Sequence, residues 1–220
     1  IGASMLTALL LAAASPRLAA LALLPAVVAA AIQLPLFIGS GTPSADSVAI
    51  RVLTANVREG LAEPGPLAAL ARDRADLFVL QELSPELASK LTGLESDFPY
   101  RAVDAQPYAA GIGIWSRYPI ERSSRDPGYQ LGVVTASLRV PEVSAPVSVL
   151  VAHLAGPFPQ SIDTWKQDVA AFPDTLADLA AVAGRGAAIV AGDLNATPDM
   201  LPFRKLLTGG FRNAAEQAGA

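Results

Sequence analysis

The hydrophobic residues of this chain form two long runs at the N-terminus and short blocks over the rest of the sequence. The runs are Ile1–Ala14 and Leu18–Ile38, and Ser15-Pro16-Arg17 separates them. The second run has about 21 residues without a charge, and a helix of that length crosses the roughly 30 Å hydrocarbon core of a bilayer. Its length and its lack of charge predict a membrane-spanning helix, with a buried helix of a soluble domain as the alternative.

The first run is shorter and starts without an initiator Met, so we interpret it as the end of a membrane span that begins upstream. The hydrophobic core of a signal peptide is the alternative. We expect a membrane-spanning region over residues 1–38 with helices at 1–14 and 18–38, a polar linker at 39–47 and a folded domain at 48–220. Arg17 carries the only charge between the runs. Because positively charged short loops stay in the cytoplasm, this places the folded domain outside it.

Short apolar blocks alternate with amphipathic segments after residue 48. The blocks predict seven strands, at Val48–Val57, Leu77–Leu80, Tyr100–Val103, Gly111–Trp115, Leu131–Val140, Val147–His153 and Ala187–Ala191. The segments predict three helices, at Pro66–Arg74, Pro85–Leu91 and Asp163–Ala183, the last interrupted at Pro173. Strands that alternate with helices and are joined in part by hairpins predict an α/β fold, a layered α/β sandwich with mixed sheets preceded by transmembrane helices.

Composition excludes several classes of function. The chain has 220 residues, 52% of them hydrophobic, a formal net charge of −4 and no cysteine. Disulfides and thiolate metal sites are therefore excluded. No run is rich in Lys or Arg, which argues against tight, non-specific binding to duplex nucleic acid. No feature indicates a protein partner.

Polar side chains stand where four of the predicted strands end. They are Asn56, Glu82, His153 and the pair Asp193 and Asn195. Each alone is common at a turn or a strand end. Together they suit phosphate chemistry: Glu82 is a hard oxygen ligand for Mg²⁺, Asp193 can bind or deprotonate a water, and the amides and the imidazole can contact phosphate oxygens.

Five segments in this order resemble the endonuclease/exonuclease/phosphatase family, the superfamily of deoxyribonuclease I. The segments are Arg51–Val57, Ala75–Glu82, Gly113–Ile120, Val149–Leu154 and Val190–Pro198. The resemblance implies a metal and phosphate site with Glu82 and Asn56 and with Mg²⁺, or alternatively Mn²⁺. It also implies catalytic roles for His153, which contacts phosphate, and for Asp193 and Asn195, which activate water and orient phosphate. Ser116-Arg117-Tyr118-Pro119 matches a structural turn of the family, with Arg117 facing the substrate as the alternative.

The chain departs from the family pattern in two places. Arg58 stands where some nucleases of the family carry an acidic residue, so no second metal carboxylate is implied there. The family also ends with an Asp-His pair, whereas no histidine follows His153. We therefore expect the sequence to be a piece of a longer protein, cut at both ends and inactive by itself.

These observations predict a membrane-anchored, Mg²⁺-dependent phosphoesterase of the nuclease and phosphatase class. Its substrate would be a nucleic acid, a phospholipid headgroup or a small phosphate ester, and its N-terminal helices would contact the lipid bilayer. The alternative is a catalytically inactive membrane-bound domain of the same fold that binds a ligand or a partner.

Overall fold

The structure is a computed structural model that describes residues 2–12, 15–34, 44 and 47–218. The chain divides into two compact units. One comprises residues 1–47 together with 210–220, and the other comprises residues 48–209.

The first unit is helical. Helix α1 spans Gly2–Ala12 and packs against α2, which spans Pro16–Gln33. Ser15 caps α2 by accepting a hydrogen bond from the N–H of Leu18, and Pro16 fits the first turn because no intrahelical partner is needed there. A short helix at Ala214–Ala218 (α7) completes the described part of this unit.

Helix α2 is the one described helix that is long and apolar enough to cross a membrane, with a mean hydropathy of 1.6. It begins two residues before the predicted Leu18 and continues through Pro25. The end of the predicted span, residues 35–38, lies outside the described residues. So does the predicted linker 39–47, except for Ser44 and Ser47.

The second unit contains two four-stranded sheets. The first sheet has the order β1-β2-β4-β3, from β1 (Val52–Asn56), β2 (Leu77–Gln81), β3 (Tyr100–Asp104) and β4 (Ile112–Ser116). The second has the order β5-β6-β7-β8, from β5 (Ile120–Arg125), β6 (Val133–Leu138), β7 (Val147–His153) and β8 (Ala188–Asp193). The pairs β1/β2 and β7/β8 are parallel and the other pairs are antiparallel, which confirms the predicted mixed sheets.

Strand β2 shows how the layers are built, because all five of its residues are buried. Leu77 and Val79 point into an apolar cluster shared with the second sheet, whereas Phe78 and Leu80 point into a cluster on the opposite face. Successive side chains of a strand alternate between its two faces, so a strand covered on both sides is apolar throughout. The sheets therefore pack face to face, with helices on the outside.

Four helices belong to this unit: α3 (Pro64–Arg74), α4 (Pro85–Lys90), α5 (Ile162–Ala183) and α6 (Leu201–Leu206). Single 3₁₀ turns lie at Thr92–Leu94, Tyr108–Ala110 and Leu207–Gly209. Residues of α3 and α4 enter the outer cluster of the first sheet, and α5 packs on β7 and β8.

The structure differs from the predicted elements in several places, and helix α6 is one that the sequence did not predict. Helix α5 runs through Pro173 without interruption, because Phe172, Leu176 and Leu179 bury one face of it and this packing outweighs the lost backbone hydrogen bond. Strand β5 was not predicted, since Glu121–Arg125 is polar and largely exposed. The first strand begins at Val52, not at Val48.

Candidate active site

The carboxyl ends of β1, β2, β7 and β8 meet at one edge of the two sheets. Asn56 is the last residue of β1 and pairs in register with Gln81, the residue before Glu82. In the second sheet His153 pairs in register with Asp193 at the ends of β7 and β8. Because both pairs of strands are parallel, their polar ends lie side by side.

The side-chain amide of Asn56 joins the two sheets. Its Nδ2 donates to Glu82 Oε1 at 2.7 Å and to Asp193 Oδ2 at 3.1 Å. Its Oδ1 accepts a hydrogen bond from the N–H of Arg58 at 2.9 Å, which fixes the orientation of the amide. Two carboxylates that are far apart in sequence thus converge on one nitrogen.

A left-handed turn holds the second oxygen of Glu82. Arg58, Glu59 and Gly60 have φ values of 50°, 54° and 81°, and Glu82 itself has a φ of 60°. Non-glycine residues adopt this region at a cost of about 1–2 kcal/mol each, so its use by three of them, Arg58, Glu59 and Glu82, at one place is unusual. The turn directs the N–H of Glu59 onto Glu82 Oε2 at 2.8 Å.

His153 is buried, with 3% of its side chain exposed, and has a defined tautomer. Its Nδ1 lies 3.0 Å from the carbonyl oxygen of Ala109, and since a carbonyl only accepts, Nδ1 carries a hydrogen. Its Nε2 therefore faces the site, 3.7 Å from Glu82 Oε1.

Arg125 holds the loop that orients His153. Its Nη2 donates to the carbonyl oxygens of Ala110 at 3.1 Å and Leu131 at 3.0 Å, and its Nη1 pairs with Asp104. The carbonyl of Ala109 is thereby kept against the imidazole. Sequence reasoning missed Arg125, because it lies in the unpredicted strand β5.

Hydrogen bonds fix the conformation of the segment after β8. The N–H of Asn195 donates to Asp193 Oδ1 at 3.0 Å, and Asn195 Nδ2 donates to the carbonyl of Leu154 at 2.8 Å. Trp165 Nε1, on α5, donates to the carbonyl of Asn195 at 3.1 Å. These bonds hold Asn195 at a φ of 46° and leave each carboxylate oxygen of Asp193 with a further lone pair.

The predicted site residues are therefore not dispersed. Asn56 contacts Glu82 and Asp193, His153 lies beside Glu82, and Asn195 contacts Asp193. The roles predicted for them remain predictions.

Arg117 contacts other residues of the fold through its guanidinium group. Its Nε donates to the carbonyl of Ala75 at 2.9 Å and its Nη2 to that of Arg72 at 2.8 Å, while the guanidinium lies 5.2 Å from the ring centre of Phe98. These contacts attach the turn between β4 and β5 to the end of α3. They favour the structural interpretation over contact with a substrate.

Two buried polar residues near the site were also missed. Asp168 Oδ2 accepts a hydrogen bond from the N–H of Ala155 at 2.8 Å, and burial raises the pKa of its carboxyl. Asp168 lies on the apolar face of α5, four residues before Phe172. An acidic residue within an apolar helix face was the sequence signal that could have identified it. Gln81 is 1% exposed, and its Nε2 has no hydrogen-bond partner among the described residues.

The donor set of the site suits a hard divalent cation that keeps much of its water. Within the described residues, no group of three or more His, Cys, Asp or Glu side chains is arranged to hold a metal ion. Mg²⁺ needs no such cage, since it binds through one or two carboxylates, several waters and substrate phosphate. The hydrogen bonds that Glu82 and Asp193 accept come from the Asn56 amide and from backbone N–H groups. These donors are neutral, so the two negative charges remain to attract a cation.

The sequence matches one family model, that of the endonuclease/exonuclease/phosphatase family, over residues 53–219. No curated protein sequence matches the chain.

Several solved structures have a similar fold. Sphingomyelinase C from Streptomyces griseocarneus is 20% identical with a TM-score of 0.57, and the match covers 74% of this chain and 70% of that one. A β-hairpin deletion mutant of Staphylococcus aureus beta toxin is 16% identical, with a TM-score of 0.54 and coverage of 74% and 73%. TDP2 of D. rerio, complexed with a single-strand DNA product, is 18% identical, with a TM-score of 0.55 and coverage of 75% and 66%. At these identities the likeness shows the fold alone.

Proposed function

The chain belongs to the endonuclease/exonuclease/phosphatase family, whose members hydrolyse phosphate esters, and we propose that it is a membrane-anchored, Mg²⁺-dependent phosphoesterase. One observation carries the proposal: the Asn56 amide lies between the carboxylates of Glu82 and Asp193, with His153 beside them. Acid, amide and imidazole groups around one point supply a metal ligand, a base and phosphate donors.

Glu82 would hold the cation through its carboxylate. A carboxamide ligates through its oxygen, whereas Asn56 turns Nδ2 toward the two carboxylates and its Oδ1 accepts from the N–H of Arg58, so Asn56 would orient the two acids. Enzymes of the family generally depend on a divalent metal, here Mg²⁺ with Mn²⁺ as the alternative. When bound, the ion polarises the phosphoryl oxygens and offsets their charge. The N–H of Glu59 keeps the Glu82 carboxylate in place, so this ligand is oriented before substrate arrives.

Asp193 would act as the general base. Its two oxygens are held by Asn56 and by the N–H of Asn195, and each retains a lone pair that can accept a proton from water. As the water oxygen bonds to phosphorus, the water proton would pass to Asp193. The ester P–O bond would break at the same time, and the leaving oxygen would depart with the electron pair of that bond and take up a proton from solvent.

His153 and Asn195 would contact the phosphate. With Nδ1 bonded to the Ala109 carbonyl, the imidazole presents Nε2 to the site, where it would contact a phosphate oxygen. The amide of Asn195 uses one hydrogen on Leu154, and its second hydrogen is available for the substrate.

Three substrate classes suit this site: a nucleic acid, a phospholipid headgroup or a small phosphate ester. The similar structures include a sphingomyelinase and a TDP2 with a DNA product, so this fold accommodates more than one class. Helix α2 supports attachment to a bilayer by its length and hydropathy. The placement of the domain outside the cytoplasm belongs to the same proposal.

The test is hydrolysis of a simple ester by the intact protein. In detergent with Mg²⁺, we expect it to cleave bis(p-nitrophenyl) phosphate and to lose this activity in EDTA. Asp193→Asn should lower the rate about 10²- to 10⁴-fold, as loss of a general base does. Asp178→Asn, at an exposed position of α5, is the matched control. A metal-independent rate contradicts the proposed Mg²⁺ dependence, and equal rates for both variants contradict the proposed role of Asp193. No hydrolysis by the intact protein contradicts the proposed hydrolase and favours an inactive ligand-binding domain.

A further inference from the structure

Three large apolar side chains are almost fully solvent-exposed on loops next to the proposed site. Leu61 is 74% exposed, Tyr108 is 77% exposed and Phe158 is 87% exposed. They are, in the second unit, among the most exposed large hydrophobic residues. Exposing such side chains to water is unfavourable, and a group of them marks a surface that another molecule covers.

Each of the three lies close in the chain to a group that contacts the site. Leu61 follows Glu59, whose N–H binds Glu82, by two residues. Tyr108 precedes Ala109, whose carbonyl binds His153. These two side chains therefore stand on loops that hold site residues.

Phe158 lies on the loop after β7, near Asn195 of the proposed site. A Cβ built on Gly156 would lie 3.1 Å from the carbonyl oxygen of Phe158 and 3.2 Å from Asn195 Oδ1. The backbone of Phe158 is thus close to Asn195. We call Leu61, Tyr108 and Phe158 the apolar rim.

The geometry points to a lipid bilayer as the partner of the apolar rim, so that the site opens onto the membrane surface and takes the phosphate ester of a membrane lipid. This inference rests on the proposed function, because it uses both the membrane anchor and the site. Loops that insert separate aromatic and aliphatic side chains into the headgroup boundary bind membranes in this way.

The length of the segment between α2 and β1 favours the lipid bilayer over a soluble protein as the partner. About 18 residues connect the end of α2 to the start of β1, and such a segment extends up to roughly 60 Å. A unit of this size has a radius of gyration of about 15 Å. Any face of it can therefore reach the bilayer that α2 crosses, and the most apolar face is favoured there because the membrane is always within reach.

Charge does not select the partner. Arg58 and Glu59, the exposed charged residues of the turn before Leu61, have opposite signs, so their net charge is zero. We therefore expect the rim to bind zwitterionic phosphatidylcholine without any need for anionic lipid.

These 220 residues contain no cysteine, so each label adds the one thiol among them. The intact protein is reconstituted into phosphatidylcholine vesicles with NBD on Leu61→Cys, Tyr108→Cys or Phe158→Cys. The control is Val182→Cys, which is 77% exposed near the far end of α5, about 25 Å along the helix from Trp165. Nitroxide-labelled phosphatidylcholine should quench the three rim labels at least two-fold more than the control label.

Equal quenching at all four positions, or none at the rim, overturns the inference and leaves a protein partner for these side chains. The readout needs no turnover. Quenched rim labels on a protein that hydrolyses nothing would support docking and contradict the proposed hydrolase. Hydrolysis with unquenched rim labels would support the proposed hydrolase and contradict docking.

A second measurement separates docking from folding. Tyr108→Ser with Phe158→Ser should lower hydrolysis of vesicle phosphatidylcholine about ten-fold or more and leave hydrolysis of bis(p-nitrophenyl) phosphate unchanged. Parallel loss of both activities would overturn the inference.

Discussion

At the scale of single residues, the site is built on backbone conformations that side chains disfavour. Glu82 and Asn195 both have positive φ, and Gly192, just before Asp193, has a φ of 138°. Local strain of this kind persists only where surrounding contacts determine it, and it concentrates at functional sites. Here it turns the polar ends of the strands toward a common point.

Replacing Glu82 tests the proposed metal ligand. In the intact protein, Glu82→Gln should raise the Mg²⁺ concentration for half-maximal activity by about ten-fold or more, because a hard cation loses a charged oxygen ligand. Glu86→Gln, at an exposed position of α4, is the control. Similar Mg²⁺ titrations for the two variants would count against Glu82 as a ligand.

Replacing Gly192 tests whether this position requires a residue without a side chain. A Cβ there would lie 1.9 Å from the carbonyl oxygen of Ala152, so Gly192→Ala forces β7 and β8 apart. We expect a loss of about 3 kcal/mol or more, which lowers the melting temperature by roughly 6–12 °C in a domain of this size. Gly65→Ala in α3, where a Cβ meets nothing within 4 Å, should be neutral or slightly stabilising. Equal melting temperatures for the two variants would show that β7 and β8 tolerate a side chain at residue 192.

At the scale of elements, charged side chains fasten the ends of strands to their neighbours. Arg51, just before β1, and Asp76, just before β2, form a two-point pair: Asp76 Oδ2 accepts from the N–H of Arg51 at 2.9 Å and Oδ1 from its Nη2 at 2.8 Å. Arg117 fastens the turn between β4 and β5 to the end of α3. Together they fix how the first sheet starts and how the chain leaves it.

The ion pair between Arg51 and Asp76 should make the stability of the fold depend on pH. Its hydrogen bonds hold the pKa of Asp76 below the usual carboxyl value, so the folded protein binds fewer protons here than the unfolded chain. The stabilisation is therefore complete above the ordinary carboxyl pKa of about 4 and is lost as pH falls through the lower folded value. Asp76→Asn should lower the denaturation midpoint at pH 7, and the difference from wild type should shrink below about pH 4. A difference that grows on acidification would reverse the expected sign.

Arg117 should resist replacement even by lysine. Arg117→Lys keeps the charge but not the planar fork that reaches two carbonyls, so we expect a loss of about 1–3 kcal/mol in denaturant unfolding. Arg122→Lys, at an exposed position of β5, should change stability by less than about 0.5 kcal/mol. Indistinguishable unfolding of the two variants would show that the turn does not depend on Arg117.

At the scale of the whole molecule, an apolar helical unit and a two-sheet unit are joined by a polar segment. Their apolar residues serve different purposes. In the two-sheet unit they fill clusters on both faces of β2, whereas α2 is only 11% buried in its own unit. This low burial of an apolar helix supports the proposed membrane span.

The orientation across the membrane is the remaining prediction. Arg17, between the two apolar runs, favours the cytoplasmic side for their connection, which places the two-sheet unit outside the cytoplasm. Protease added to intact cells should then cut within residues 39–47 and release this unit. Cleavage that requires lysis of the cells would place the unit in the cytoplasm.

Sequence alone was sufficient for the features that depend on local pattern. Seven of the eight strands follow from alternating or continuous apolar blocks, helices α3, α4 and α5 follow from amphipathic segments, and the candidate residues follow from polar groups at the strand ends. Helix α6 was not predicted. Strand β5 was missed because Glu121–Arg125 has no apolar alternation. The break assigned to Pro173 was wrong because burial of α5 outweighs a local preference.

Only the tertiary structure decided which of these groups meet. The hydrogen bond between Asn56 and Asp193 joins residues 137 positions apart, and no local pattern encodes it. The packing of one sheet on the other brings the two strand ends together, and the loops held by Arg125 and Trp165 orient His153 and Asn195. Local periodicity determines which residues are buried in an element, whereas distances within a site depend on packing between elements that are remote in the chain.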